Sequence, residues 1–317
     1  MKRPTITILA IAVVLVAAVT LSTGAALWSD GPAYAADAEP QPAAAASPQS
    51  VAGVRCTSAD SSRIVSLLSE ASKLPVTTNL TMFFARKFIG IPYVGKTLET
   101  ATGDEPLIVN LRQLDCTTYV ETVAALTLCA RRSLYTVHDY FTMLTALRYR
   151  NGCRNGYTSR LHYFSDWIAD NCRRQMVEEV VLDETGDTRE TAISVDYMSK
   201  RPQAYSALKL HPDIVPDIRR QEQQLSKLTC HYLPKAAIGN TPMLRKLIND
   251  GDIIAITTSK AGLDIAHLGF AVWQANGLHL LNASQKRKRV VEEPMTFRKY
   301  LEQHPTFTGI RVIRIKS

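Results

Sequence analysis

No His-Glu-x-x-His motif and no close cluster of cysteine and histidine occurs in this 317-residue sequence, which argues against a zinc site. A Gly-x-Gly-x-x-Gly run is missing and no phosphate-binding loop is read, so nucleotide binding has no support. No internal repeat is visible, and after an Ala/Pro-rich stretch near the start there is no second break in composition. One domain with a sizeable core accounts for the rest. Cysteines are few, six in all. If one of them is a nucleophile, the other five cannot all pair with each other, although an exported protein keeps room for one or two disulfides.

What is present begins with an export leader. Met1-Lys2-Arg3 is a short positive start, Ile6 to Val19 is an apolar run, and Ala33-Tyr34-Ala35 fits a small-residue cleavage site, so residues 1–35 are expected to be a signal peptide. An uncleaved signal anchor is the alternative, because the apolar run continues toward Leu27. Residues 36–55, rich in Ala, Pro, Gln and Ser, read as a flexible tether, and residues 56–317 as the folded domain. The formal charge of +8 favours anionic surroundings. For an exported protein these are cell-wall polymers or anionic lipid headgroups more readily than nucleic acid, and Lys286-Arg287-Lys288-Arg289 reads as a solvated loop or strand edge, with attraction of stem-peptide carboxylates as the alternative.

The order of elements is α+β. Helices are expected near 63–73, 79–88, 116–131, 137–149 and 164–173. Strands are expected near 178–182 and 192–198, followed by a strand over 253–257 and a hairpin over 265–284, then a short helix near 297–303 and a closing strand over 309–315. Leu114-Asp115-Cys116-Thr117-Thr118-Tyr119-Val120-Glu121 carries the most chemical information. Asp115 is a good N-cap, so Cys116 falls in the first turn of a helix, where unpaired N–H groups and the helix dipole favour a thiolate. The other reading is a small buried apolar residue, which is the commoner fate of an unpaired cysteine.

A nucleophilic thiol needs a base. His267 lies on the strand Ile265 to Trp273, with Asn276-Gly277 as a turn signal and Leu278 to Ser284 returning antiparallel. With the tip at Asn276-Gly277, Ala271 opposes Asn282, so Asn282 shares a face with His267 but lies four residues along from the position opposite it. Asn282 and Ser284 are therefore both candidates for the group that orients the imidazole.

The chain resembles the N-acetylmuramoyl-L-alanine amidase-like family, within the papain-like NlpC superfamily of cell-wall cysteine peptidases and amidases. The resemblance rests on Phe88-Ile89-Gly90-Ile91-Pro92-Tyr93-Val94, Thr97-Leu98-Glu99, Val109-Asn110-Leu111 and the Cys116 segment. It continues through Ser159 to Ile168, Gly251-Asp252, His267-Leu268-Gly269-Phe270 and Asn282-Ala283-Ser284. It implies a nucleophile helix packed on an antiparallel sheet, with family-specific helical insertions. It also implies Cys116 as nucleophile, His267 as general base and acid, and position 282 as the orienting residue, where the family often has histidine. Tyr93, together with the backbone N–H of Cys116, would stabilise an oxyanion.

The resemblance implies a murein amidase that cuts the bond between N-acetylmuramic acid and L-alanine, with no cofactor and no metal. The expected partner is peptidoglycan or a muropeptide, with no nucleic acid, no stable membrane contact after leader removal, and action as a monomer in the periplasm or outside the cell. A stem-peptide endopeptidase and a non-catalytic murein-binding protein are the alternatives. Arg160, Asp166 and Trp167 are expected to select substrate, by a bidentate contact to a carboxylate, by accepting from an amide or ammonium, and by an apolar wall respectively. The other reading makes Trp167 core, and Arg160 and Asp166 a structural ion pair. Cys153 and Cys172 could be bridged if the chain turns back between them.

Overall fold

A long antiparallel sheet runs through the folded domain. The computed structural model describes residues 53–316; the expected leader and most of the expected tether fall outside these. The strands are β1 (Val54–Arg55), β2 (Leu107–Ile108), β3 (Val177–Glu179), β4 (Arg189–Ala192), β5 (Thr229–Pro234), β6 (Ile253–Thr258), β7 (Ile265–Gln274), β8 (Gly277–Ser284), β9 (Arg289–Glu292) and β10 (Phe307–Ile315). β1 and β2 form a small parallel pair. The large sheet runs β4-β5-β10-β6-β7-β8-β9, with β3 also paired to β10. Every pairing in the large sheet is antiparallel.

The helices are α1 (Ser58–Ala71), α2 (Leu80–Arg86), α3 (Cys116–Arg131), α4 (Val137–Arg148), α5 (Phe164–Arg173), α6 (Tyr197–Lys200), α7 (Ser206–Leu210), α8 (Val215–Leu225), α9 (Pro242–Leu247) and α10 (Phe297–Glu302). α3 is buried on nearly every side from Thr118 to Cys129: most of its positions are apolar, and its one acid, Glu121, is paired inside with Arg148. It packs between α1, α2 and α4 and the β7–β8 hairpin. Tyr119 pins helix to sheet: its ring meets Phe88 and Phe270 edge-on at 6.2 and 5.4 Å, and its hydroxyl donates to the Ala85 carbonyl at 3.0 Å.

The sheet is covered on both faces, which explains why β6 reads as one apolar run rather than an alternation. Ile253 and Ala255 face the α3 core, whereas Ile254 and Ile256 face a second core with Leu280, Phe297 and Val312. A third cluster, around Tyr163, Met198, Leu208 and Ile218, holds α6, α7 and α8 against the segment before α5.

Several expectations shift. Val54 and Arg55 belong to a strand, so the folded domain starts slightly before residue 56. The strand expected over 192–198 is split, ending at Ala192 and giving way to helix at Tyr197. The hairpin tip is Ala275-Asn276, because Gln274 pairs with Gly277. The letters Gly90 to Thr97 do match the Gly-x-x-x-x-Gly-Lys-Thr pattern of a phosphate loop. However, such a loop joins a strand to a helix, whereas this segment follows α2 and runs extended beside Leu114. Cys153 and Cys172 are free, like Cys56, Cys116, Cys129 and Cys230. Among the described residues no helix is long and apolar enough to cross a membrane.

Candidate active site

Asp115 starts α3 with a full capping box. Its carboxylate accepts from the Thr118 N–H at 2.8 Å, while the Thr118 hydroxyl accepts from the Asp115 N–H at 2.9 Å. The next residue, Cys116, is therefore fixed in the first turn. The sulfur is half-buried, and the backbone of Leu268 on β7 and the hydroxyl and backbone of Thr117 offer it hydrogen bonds that favour ionisation. Burial, reinforced by the Asp115 carboxylate, outweighs them and pushes the thiol up to about 12. This reverses the expectation from the helix start alone.

His267 projects from β7 into the same cleft as Cys116, a space of about 330 Å³. Its Nε2 lies 2.9 Å from Asn282 Oδ1. Asn282 is fully buried, and its Nδ2 points toward the Leu280 and Val291 carbonyls, so Oδ1 is the end that faces the imidazole. An acceptor there requires a hydrogen on Nε2 and leaves Nδ1 free to take a proton. Burial lowers the His267 pKa below its ordinary value, with the Asn282 bond opposing that shift.

The contact depends on register. Phe270 pairs with Leu281 and Gln274 with Gly277, and continuing that register places Asn282 opposite Gly269. With the tip at Ala275-Asn276, Asn282 lies two residues closer to His267 than a tip at Asn276-Gly277 would put it. Gly269 allows the close approach, since a Cβ there would lie 2.8 Å from both the Leu281 carbonyl oxygen and Leu280 Cδ1.

Tyr93 does not line the cleft but is held near Cys116 by a short extended segment. Pro92 bridges to Arg289, and Leu114 donates to the Pro92 carbonyl at 3.1 Å, just before the Cys116 helix. Burial, then the nearby Cys116 and Asp115, raise the phenol to about 12, so it is a hydrogen-bond donor at neutral pH.

The other anticipated residues divide. Arg160 lines the cleft but spends its donors internally, on the Leu98 carbonyl at 3.2 Å, on Glu99 Oε1 at 3.0 Å, and in an ion pair with Glu105 at 3.6 Å. Asp166 is held by both terminal nitrogens of Arg150 and lies outside the cleft lining. Trp167 is fully buried and stacked on Phe164 at 4.7 Å, so it is core rather than a substrate wall. Ser284 donates to the buried Glu293 at 3.1 Å and does not line the cleft.

Several lining residues were given no role in the sequence reading: Glu99, Glu121, His162 and Tyr163 lie within motifs of the resemblance, and Tyr157 and Tyr205 lie outside them. Their types are ordinary and their spacing irregular, and only the folded chain gathers them. Among the described residues no group of three or more His, Cys, Asp or Glu could hold a metal ion.

A cleft that joins a thiol at a capped helix start to a strand histidine with its own orienting amide is an arrangement suited to acyl transfer. The chain belongs to the N-acetylmuramoyl-L-alanine amidase-like family, whose model matches residues 83–310. An N-acetylmuramoyl-L-alanine amidase from Bacteroides uniformis is 38% identical, with a TM-score of 0.69 over 75% of this chain and 99% of that one. A Bacteroides fragilis protein named as a candidate xylanase is also 38% identical, with a TM-score of 0.67 over 73% of this chain and 99% of that one. A Legionella pneumophila protein at 22% identity, with a TM-score of 0.62 over 81% of this chain and 94% of that one, shares the fold. No curated protein matches. The family supports a peptidoglycan amidase-like hydrolase.

Proposed function

We propose that the protein is an exported cysteine amidase that hydrolyses the amide between N-acetylmuramic acid and L-alanine. The observation that carries this reading is the pair of Cys116 and His267 in one cleft, with His267 Nε2 held by Asn282. His267 Nδ1 takes the thiol proton as the sulfur attacks the amide carbonyl. The oxyanion is met by the Cys116 backbone N–H and the Tyr93 hydroxyl. Collapse expels the L-alanine amine, which receives the proton from the imidazolium and leaves a thioester to the lactyl group. Water, deprotonated by His267, then releases the muramic acid carboxylate and restores the thiol.

The xylanase name of the B. fragilis relative has less support in this cleft. Glycoside hydrolysis uses two carboxylates as acid and base or nucleophile. Here Asp115 caps α3, Glu99 and Glu121 are paired with Arg160 and Arg148, and Asp264 accepts from the Ser165 N–H.

The test is incubation of the protein with purified muropeptides, with Cys116→Ala as control and products identified by mass spectrometry. The expected products are an intact stem peptide with a free L-alanine amine and a peptide-free muramic acid glycan. If L-alanine stays on the sugar while the stem is cut further along, the activity is that of an endopeptidase. If no bond is cut, the catalytic reading is lost.

A further inference from the structure

The β8–β9 side of the active site holds a buried carboxylate that the mechanism does not use. Glu293 stands just past the end of β9, where its N–H donates to the Leu280 carbonyl at 2.9 Å. Its side chain nevertheless reaches four residues along β8, and Oε1 accepts from the Ser284 hydroxyl at 3.1 Å. Leu280, Asn282 and Ser284 share one face of that strand, so the Glu293 side chain runs past Asn282, the residue that holds His267. The β7–β8 register, continued from Phe270 and Leu281, puts Ser284 opposite His267 itself. Residues paired across strands share a face, so the carboxylate and the imidazole lie on the same side of the sheet.

A buried carboxylate is costly unless it is compensated, and here compensation is partial. The second partner of Glu293 is Arg287 Nε at 3.3 Å, on a half-exposed side chain of the turn that joins β8 to β9; the Arg287 N–H also donates to Ser284 Oγ at 3.3 Å. Solvent screens that guanidinium more than it screens the buried acid, so a net negative field remains. The other titratable groups around His267 are Cys116 and Asp115 at the start of α3, Tyr300 of α10 with ring centroids 6.4 Å apart, and His304, packed on Tyr300 at 4.7 Å. Burial lowers the His267 pKa most and His304 adds to the lowering, whereas the Asn282 bond, Glu293 and Asp115 oppose it.

We infer that Glu293 is a positioning residue that acts through His267: its buried negative charge, anchored on Ser284 and tempered by Arg287, stabilises the imidazolium that forms when the thiol proton arrives. The inference rests on the cysteine amidase reading for that proton. A neutral resting pair becomes charged during attack, and a fixed anion helps at that moment more than before it.

The test reads the imidazole directly. His267 is titrated by NMR in protein carrying labelled histidine, its signal assigned by its absence from His267→Gln, and thermal melting identifies any variant that fails to fold. Glu293→Gln keeps the length and the acceptor for Ser284 but removes the charge, and should lower the His267 pKa by about 0.5–1 unit. Glu293→Asp keeps the charge at shorter reach and should stay close to the parent. Arg287→Gln removes the tempering cation and should move the pKa the opposite way, upward by a few tenths of a unit, roughly the effect of a half-exposed charge. On muropeptides, Glu293→Gln should lower kcat roughly threefold to tenfold with little change in KM, because the imidazolium exists only during the reaction. A purely structural Glu293 gives the reverse pattern, with Gln close to the parent and Asp disturbed, and Arg287→Gln shifting His267 the same way as Asp; that result, or no shift in any variant, overturns the inference. If Glu293→Gln does not fold, the sign of the Arg287→Gln shift decides. If the parent protein cuts no murein amide while His267 still responds in the expected pattern, the amidase reading falls and the coupling of Glu293 to His267 stands.

Discussion

At Cys116 two influences oppose each other. The first turn of a helix is worth at most about 2 kcal/mol to an anion, or roughly 1.5 pK units, whereas burial and Asp115 drive the thiol up to about 12. His267 is lowered by burial. The resting pair is therefore thiol and neutral imidazole, and proton transfer accompanies attack. Alkylation of Cys116 by iodoacetamide should accelerate with pH through about pH 8 without levelling, unlike a thiolate–imidazolium pair, which reacts at a plateau from about pH 5. A plateau would overturn the neutral-pair assignment. Since catalysis needs the unprotonated imidazole, kcat/KM should fall on acidification with a midpoint below about 6.5, the ordinary histidine value. The Asn282 bond favours the charged ring, so Asn282→Ala should move that midpoint further toward acid while costing less rate than His267→Ala. Tyr93→Phe should lower kcat roughly a hundredfold with little change in KM, because an oxyanion donor acts in the transition state. A Tyr93→Phe protein with full kcat would remove the phenol from the oxyanion site.

Among elements, helices were the most legible, although α5 has no side-chain cap and the Thr57-capped α1 begins at Ser58, well before its expected start near 63. Asp115 and the apolar run behind it marked Cys116–Arg131, and Phe164–Arg173 was also found at its expected bounds. The hairpin was visible as two strands but its register was not, because Asn276-Gly277 is a strong turn signal yet the chain turns one residue earlier. Burial was illegible at single residues. Nothing in the letters around Trp167 distinguishes a ring stacked on Phe164 inside the core from one exposed in a cleft. The contacts of His162 with the Tyr157 carbonyl and of Glu99 with Arg160 were equally hidden, since only the fold brings those partners together. The register itself can be tested at Gly269. In Gly269→Ala the new methyl meets the Leu281 carbonyl oxygen and Leu280, so the strands must part. The cost should be about 1–3 kcal/mol in urea unfolding, and activity should fall further than stability because Asn282 is carried away from His267. A variant that is destabilised but fully active would show that the His267–Asn282 bond does not govern catalysis.

For the molecule as a whole, the cleft is tied together by buried ion pairs that cross element boundaries. Arg148 on α4 meets Glu121 on α3 at 2.7 Å, and Arg160 meets Glu99 and Glu105, so helices α3 and α4 and the chain before β2 share one charged cluster. Such pairs add little net stability when intact, but removing one partner leaves the other buried and uncompensated. Arg160→Met should therefore destabilise the protein by about 3–5 kcal/mol near pH 7. Burial already raises the Glu105 carboxyl, and Arg160 is the largest influence lowering it. Without the guanidinium Glu105 binds a proton more readily in the folded state, so acidification relieves the uncompensated charge. The stability gap between Arg160→Met and the parent protein should accordingly narrow as the pH drops toward about 5. Denaturant unfolding across that range reads the gap, and muropeptide kinetics on the same samples separates structure from binding. A variant with parental stability and a raised KM would return Arg160 to the role of a substrate-carboxylate ligand. A gap that stays constant with pH would mean that Glu105 does not depend on Arg160 for its charge.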